Sequence, residues 1–271
     1  MVKDAVVTLT GGSEFAADYA ISVAGAFGAH MAGVAFIYEP VIPDDALGIS
    51  SNLIDIQRQE NTATANAAVS RFEAAARAAG ISFDTRLVDA SAAGAPDLFG
   101  RIARRFDLAI VGQARREQGA SEELLIEGAL FGSGRPVGIV PVIQSRGLTL
   151  ERVLVCWDGS RPAARAIADA MPFLTRAKAV DILVVTGERD RSGEITGKNM
   201  RAHLARHDIK TEIKHIKGAD AQNAIQSHAA AIGADFMVMG GYHHSRLREF
   251  ILGGVTRGIL KSMAVPVFMS R

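Results

Sequence analysis

Short, mainly apolar runs punctuate the chain at Ala5–Leu9, Met31–Tyr38, Leu108–Val111, Arg152–Trp157, Val180–Thr186 and Phe236–Met239, continuous at Ala5–Leu9. Runs of this length are what strands covered on both faces require. Further strands are predicted at Ile81–Val88, Pro136–Pro141, Lys210–Ile216 and Pro266–Met269. Helices alternate with them, over about Glu14–Gly28, Leu53–Ala79, Ala92–Arg105, Glu122–Phe131, Pro162–Leu174, Thr196–His207, Ala221–Ile232 and Val255–Ser262. Ser13 is placed to cap the first helix, and Gly28 and Gly80 to stop the first and second. Pro162 sits near a helix start, where its missing N–H costs little.

The pattern is written twice. "FDLAIVGQ" at 106–113 parallels "ADFMVMGG" at 234–241, and "RPVGIVPV" at 135–142 parallels "VPVFMS" at 265–270. "VVTLTGGS" at 6–13 parallels "VLVCWDGS" at 153–160. A period near 130 residues is too long for a solenoid unit and marks two copies of one domain. Strand–helix alternation with short connections predicts parallel sheets wound on both faces. The expected fold is α/β: two tandem doubly wound five-stranded domains, 1–145 and 150–271, with Ile143–Leu150 as linker.

Composition narrows the setting. No apolar run approaches the ~18 residues a membrane helix needs, and the N-terminal stretch lacks the pattern of a signal peptide. The one cysteine, Cys156, excludes an internal disulfide and suits a reducing cytoplasm. The net charge of +1 hides an asymmetry: residues 1–147 carry a net −5 and residues 151–271 a net +6. Either the two surfaces drifted independently, or the second half meets an anion or attracts the first half. Neither half is basic enough to make nucleic acid the main partner.

In doubly wound sheets ligands bind outside the carboxyl ends of the strands, where strand order reverses. In the second copy two segments should meet there: "CWDGS" at 156–160 and the loop that starts at Gly240 and ends at the helix near Gly254. Asp158 is an acceptor for an adenine amino group or a ribose hydroxyl, while Gly159 and Ser160 turn the chain and cap a helix. The same three residues also make an ordinary turn and cap without any ligand. Glycines let backbone N–H groups approach phosphate oxygens, and a following helix adds its unpaired N–H groups and partial positive charge. Thr256 adds a hydroxyl in the first turn, and Arg246, Arg248 and Arg257 add charge. The loop is neither a Walker loop nor G-x-G-x-x-G.

"VLVCWDGS" and "VMGGYHHSRLREFILGGVTRGILKSMAVPV" resemble the first strand and the last third of the universal stress protein domain, an adenine nucleotide alpha hydrolase-like fold. The resemblance covers almost the whole chain as a tandem pair and is stronger in the second copy. The family's nucleotide-binding branch carries G-x2-G-x9-G-[S/T]. The resemblance implies that Asp158 and the backbone at Val185 hold an adenosine. It also implies that Gly240, His243, Gly253, Gly254 and the helix start at Val255 and Thr256 hold phosphates. His243 stands where the pattern has its second glycine, and Gly254 where it has Ser or Thr. The implied ligand is ATP, or ADP or AMP, with Mg carried by the nucleotide. The implied function is a cytoplasmic stress-response binding module. The last strands are implied to pair across a two-fold, within one chain as a pseudo-dimer or between chains as a homodimer. In the first copy Gly11 replaces Asp158, and Glu122, Glu123 and Glu127 bring negative charge to the phosphate position; that site reads as degenerate.

Other chemistry is sparse. His203 and His207 share a helix face at metal-pair spacing, without a third ligand in view, and a solvated face is the simpler reading. Cys156 reads as a small core residue and Trp157 as core or as a wall of the adenine pocket. Two other classes of function stay open: a slow ATPase, phosphate-transferring enzyme or metal-dependent hydrolase, and a ligand-free interaction scaffold.

Overall fold

In a computed structural model, residues 1–40, 51–115, 119–186, 197–217, 220–241 and 254–271 are described. The first half runs β1 (Asp4–Leu9), α1 (Glu14–Phe27), β2 (His30–Tyr38), α2 (Ser51–Ala78), β3 (Phe83–Ala90), α3 (Ala95–Ala103), β4 (Leu108–Gly112), α4 (Gly119–Gly132) and β5 (Val137–Val140). The second runs β6 (Arg152–Cys156), α5 (Arg161–Leu174), β7 (Ala179–Thr186), α6 (Lys198–Ala205), β8 (Thr211–Lys217), α7 (Ala221–Ile232), β9 (Phe236–Gly240), α8 (Gly254–Ser262) and β10 (Val267–Ser270). Elements follow the hydrophobic pattern closely. The third strand is displaced, from the expected 81–88 to Phe83–Ala90, because pairing with β2 continues through Asp89 and Ala90 after the apolar pattern ends. Gly28 stops α1 in the left-handed conformation at φ 60°, where its N–H reaches Ala24 O and a Cβ would be strained.

The strands form one ten-stranded sheet in the order β3-β2-β1-β4-β5-β10-β9-β6-β7-β8. Within each half the pairing is parallel; between the halves β5 and β10 pair antiparallel, Gly138 opposite Phe268. The last strands therefore meet inside one chain. Each covers the other's edge, so neither is left as a template for a second copy. The outermost strands β3 and β8 alternate exposed charge with half-buried apolar residues, as edges should. The antiparallel joint also puts the carboxyl ends of the first-half strands at one end of the sheet and those of the second half at the other.

Helices α1, α2, α5 and α6 cover one face and α3, α4, α7 and α8 the other, over two buried apolar layers. The first layer runs through the joint: Phe173 of α5 lies 4.7 Å from Phe27 of α1, 5.2 Å from Phe236 and 5.3 Å from Phe268, centroid to centroid. The segment read as a linker is docked, with Leu148 and Leu150 packed on this core and Leu148 N–H donating to Ser22 Oγ at 2.7 Å. Among the described residues, no helix is long and apolar enough to cross a membrane.

Candidate functional site

The strand order reverses between β6 and β9, so the carboxyl ends of β6, β7 and β9 frame a crevice in the second half. At the end of β6 the chain turns through Trp157–Ser160. Trp157 N–H donates to Leu183 O at 2.8 Å and keeps the turn in register with β7. Gly159 takes φ 75°, a conformation that L side chains rarely adopt. Asp158 Oδ1 accepts from Ser160 N–H at 2.9 Å, and buried Ser160 accepts from Ala163 N–H at 3.2 Å as the N-cap of α5. The capping chemistry is thus present, and Asp158 itself remains exposed at the rim.

Val185 lies at the end of β7, half-buried beside Ile216. Gly240 ends β9 with its Cα facing the start of α5: a Cβ there would lie 2.5 Å from Ala163 N and 2.8 Å from Pro162 C. The space of its missing side chain is filled by helix backbone, so Gly240 is required for packing whether or not a phosphate binds. Asp158, Ser160, Val185 and Gly240 are brought to one edge. Gly254 and Val255 open α8 in exposed positions, and a Cβ on Gly254 would meet nothing within 4 Å. Thr256 is buried in the first turn of α8. His243 and Gly253, with Arg246 and Arg248, lie outside the described residues.

Arg257 corrects one expectation. Expected beside a phosphate, its guanidinium lies 3.6 Å from Glu123 of α4, in the other half. Leu260 O of the same helix accepts from the buried Gln113 side chain at 2.8 Å. So α8 faces the first half as well as its own crevice, and the opposite charges of the halves meet at this contact. The pair is partly exposed and worth no more than about 1 kcal/mol.

Cys156 is partly buried, and burial, with Asp158 adding to it, pushes its thiol up to about 12. Such a thiol is a poor nucleophile near neutral pH. Trp157 packs against the core, and its indole N–H is buried without a hydrogen-bond partner among the described residues. The exposed carboxylate of Asp158 is the acceptor that this turn offers to a polar ligand at the edge. His203 and His207 stack edge-on at 5.0 Å on an exposed surface, and among the described residues no group of three or more His, Cys, Asp or Glu side chains is placed to hold a metal.

The equivalent edge of the first half is filled from within. Glu122 is buried and accepts from Arg115 N–H at 2.7 Å and from Ser13 Oγ at 3.4 Å. Ser13 stands at the N-cap position of α1 but makes no side-chain cap bond, contrary to the expectation, because its hydroxyl is turned to that carboxylate. Arg115 covers Gly12, with Nη1 2.5 Å from where a Cβ would be, and lies over the Phe15 ring at 5.8 Å. Gly11 faces Thr64 of α2, 3.0 Å from its would-be Cβ. Arg115 carries no signal in the sequence, because only the fold lays it across the turn at Gly12.

Residues 149–271 match the model of the universal stress protein family. Universal stress protein Slr1230 of Synechocystis sp. (strain ATCC 27184 / PCC 6803 / Kazusa) is 24% identical over 125 residues, 45% of this chain and 43% of that protein; the chain therefore matches less than half of that relative's length. Among solved structures, a universal stress protein from Archaeoglobus fulgidus DSM 4304 is similar over 99% of this chain and 98% of its own, with TM-score 0.75 and 19% identity. A putative universal stress protein from Pseudomonas aeruginosa UCBPP-PA14 is similar over 98% and 92%, with TM-score 0.62 and 15% identity. At these identities the two structures establish the fold across both halves and nothing finer.

Proposed function

We propose, from the match of residues 149–271 to the universal stress protein family, that this protein is a cytoplasmic stress-response binding module whose second domain, 150–271, holds ATP or a related adenine nucleotide. Asp158 takes the adenosine, the backbone at Val185 lines it, and Gly240 with the start of α8 at Gly254–Thr256 frames the phosphates, joined by His243 and Gly253. Mg accompanies the nucleotide. The first domain, 1–145, holds none.

One observation carries the reading. The second carboxyl edge presents an exposed Asp158 and, at the start of α8, a Gly254 whose added Cβ would meet nothing within 4 Å, while the first edge holds its own Glu122 and Arg115. A carboxylate at the first site supplies the negative charge for which the second site has no described counterpart.

The test is to denature the purified protein and identify what it releases, then to melt the nucleotide-free protein with Mg-ATP. Ligand at about a hundred times its Kd stabilises by about 2.7 kcal/mol, on the order of 5–10 °C here. Asp158→Ala should abolish that shift and Glu122→Ala should leave it in place. Release of no nucleotide together with an unchanged Tm would sink the proposal.

A further inference from the structure

The two-fold relation of the halves makes a groove beside α5 comparable with a groove beside α1. Equivalent residues mark both: Asp107 accepts from Lys3 and Asp4 N–H, as Asp235 accepts from Glu151 and Arg152 N–H. Beside α1 the groove is filled by residues 147–150. Gly147 lies so close that a Cβ would be 2.8 Å from Ser22 Cβ, and Leu148 N–H bonds Ser22 Oγ. Ser22 corresponds to Asp169 of α5. There Met1 and Val2, the counterparts of Thr149 and Leu150, line the groove, and a cleft of about 580 Å³ remains between α5, Phe27 and the amino ends of β4 and β5. None of the candidate nucleotide residues lines it.

Its lining has two chemistries. Val2, Phe27, Pro136, Met171 and Pro172 supply an apolar floor. Arg135, Arg165 and Arg176 supply cations, with His207 at the margin. The carboxylates among them are already engaged: Asp107 by the two main-chain N–H groups, and Asp169 by Arg165 Nε at 2.8 Å and Ser270 Oγ at 2.9 Å. Arg165 is paired with Asp169, while Arg135 Nε donates to Arg104 O at 3.0 Å and Arg176 Nη1 donates to Ala26 O, with Arg176 also 4.1 Å over the Phe27 ring. Each guanidinium has five N–H donors, so donors remain on all three of these exposed side chains.

We propose that this cleft between the halves is a second ligand site, taking a small organic anion: a carboxylate or phosphate monoester that carries an apolar group. The volume suits a small molecule, and sites of this kind favour the junction of two domains. Guanidinium groups match carboxylate and phosphate oxygens in pairs, and the apolar floor takes the remainder of the ligand.

The test uses the full chain, with phenyl phosphate and benzoate as anionic probes and benzylamine as the cationic control, titrated by calorimetry with and without Mg-ATP. Ala168→Trp fills the cleft from an exposed helix position, and Arg165→Gln removes a cation while keeping bulk. Unchanged circular dichroism melts establish that both variants fold; if one does not, Ala168→Phe or Arg135→Gln takes its place. The expected result is saturable one-to-one binding of at least one anion, insensitive to Mg-ATP, tenfold or more weaker in both variants, and absent for benzylamine. Phenyl phosphate and benzoate distinguish a phosphate ester from a carboxylate as the preferred head. Any other pattern, including no saturable binding to the parent chain, overturns the proposal.

Discussion

Ser13 and Ser160 follow the first strand of their halves at equivalent places, and their hydroxyls do opposite things. Ser160 accepts from Ala163 N–H and caps α5. Ser13 donates to Glu122 and leaves α1 without a side-chain cap. The difference begins one turn of chain away: Asp158 organises the second turn by accepting from Ser160 N–H, while the first has Gly11 and draws its carboxylates from Glu14 and Glu122. A buried carboxylate needs donors, and Glu122 recruits Ser13 and Arg115 to supply them. The filling of the first edge thus follows from where one acidic residue sits.

The sharpest way to break this comparison is at the glycines that end β4 and β9. Gly240→Ala drives a methyl into the backbone of α5, which cannot move alone; the expected loss is about 2–3 kcal/mol, read from urea unfolding. Gly112→Ala meets only side-chain atoms, Phe15 Cζ at 3.2 Å and Ser13 Oγ at 3.3 Å, and should lose less than about 1 kcal/mol. Equal losses would mean that the two edges are packed alike.

The serines come next. Ser160→Ala should cost about 1 kcal/mol, the usual worth of an N-cap. Ser13→Ala removes only a 3.4 Å bond and should cost about half of that. Glu122→Ala in the same background should restore no capping, and thermal melts of the double variant should show the Ser13 effect shrink towards zero, since the two residues form one unit.

The smallest effect concerns Glu127 of α4, whose counterpart in α8 is Arg257. Glu127 is buried with Oε2 unpartnered among the described residues; burial first, then Glu123, raises its carboxyl above the ordinary 4.5, while Arg257 pulls it down. The folded state therefore holds this proton more tightly than the unfolded chain does. Stability is fully present below the ordinary value, falls as the pH rises through the folded value, and stays lower above it. Glu127→Gln should flatten that fall and raise Tm at pH 7 by roughly 1–3 °C. A steeper pH profile in the variant would refute the assignment.

Much of the fold was legible because apolar runs, turn glycines and the repeat all constrain the same elements. β1, β4, β6 and β9 are buried on both faces and read as continuous hydrophobic strings. The third strand was displaced by two residues because edge pairing needs backbone partners and tolerates polar side chains such as Asp89. The site was less legible. Asp158, Gly159 and Ser160 were readable as a turn and cap from local chemistry, but the role of Gly240 depends on Pro162 and Ala163, which lie some 80 residues earlier in the chain. Arg257 was assigned to a phosphate because its partner, Glu123, belongs to the other half.

By itself the sequence determined the element order, the doubling, the capping turn at Asp158–Ser160 and the opposite charges of the halves, since each is written in neighbouring residues or in composition. Only the tertiary structure decided that β5 and β10 pair within one chain, that Glu122 and Arg115 close the first edge, that Arg257 faces the first half, and that a cleft stays open beside α5. Each of these is a contact between segments far apart in the chain, and local propensity carries no information about which distant surface a side chain will meet.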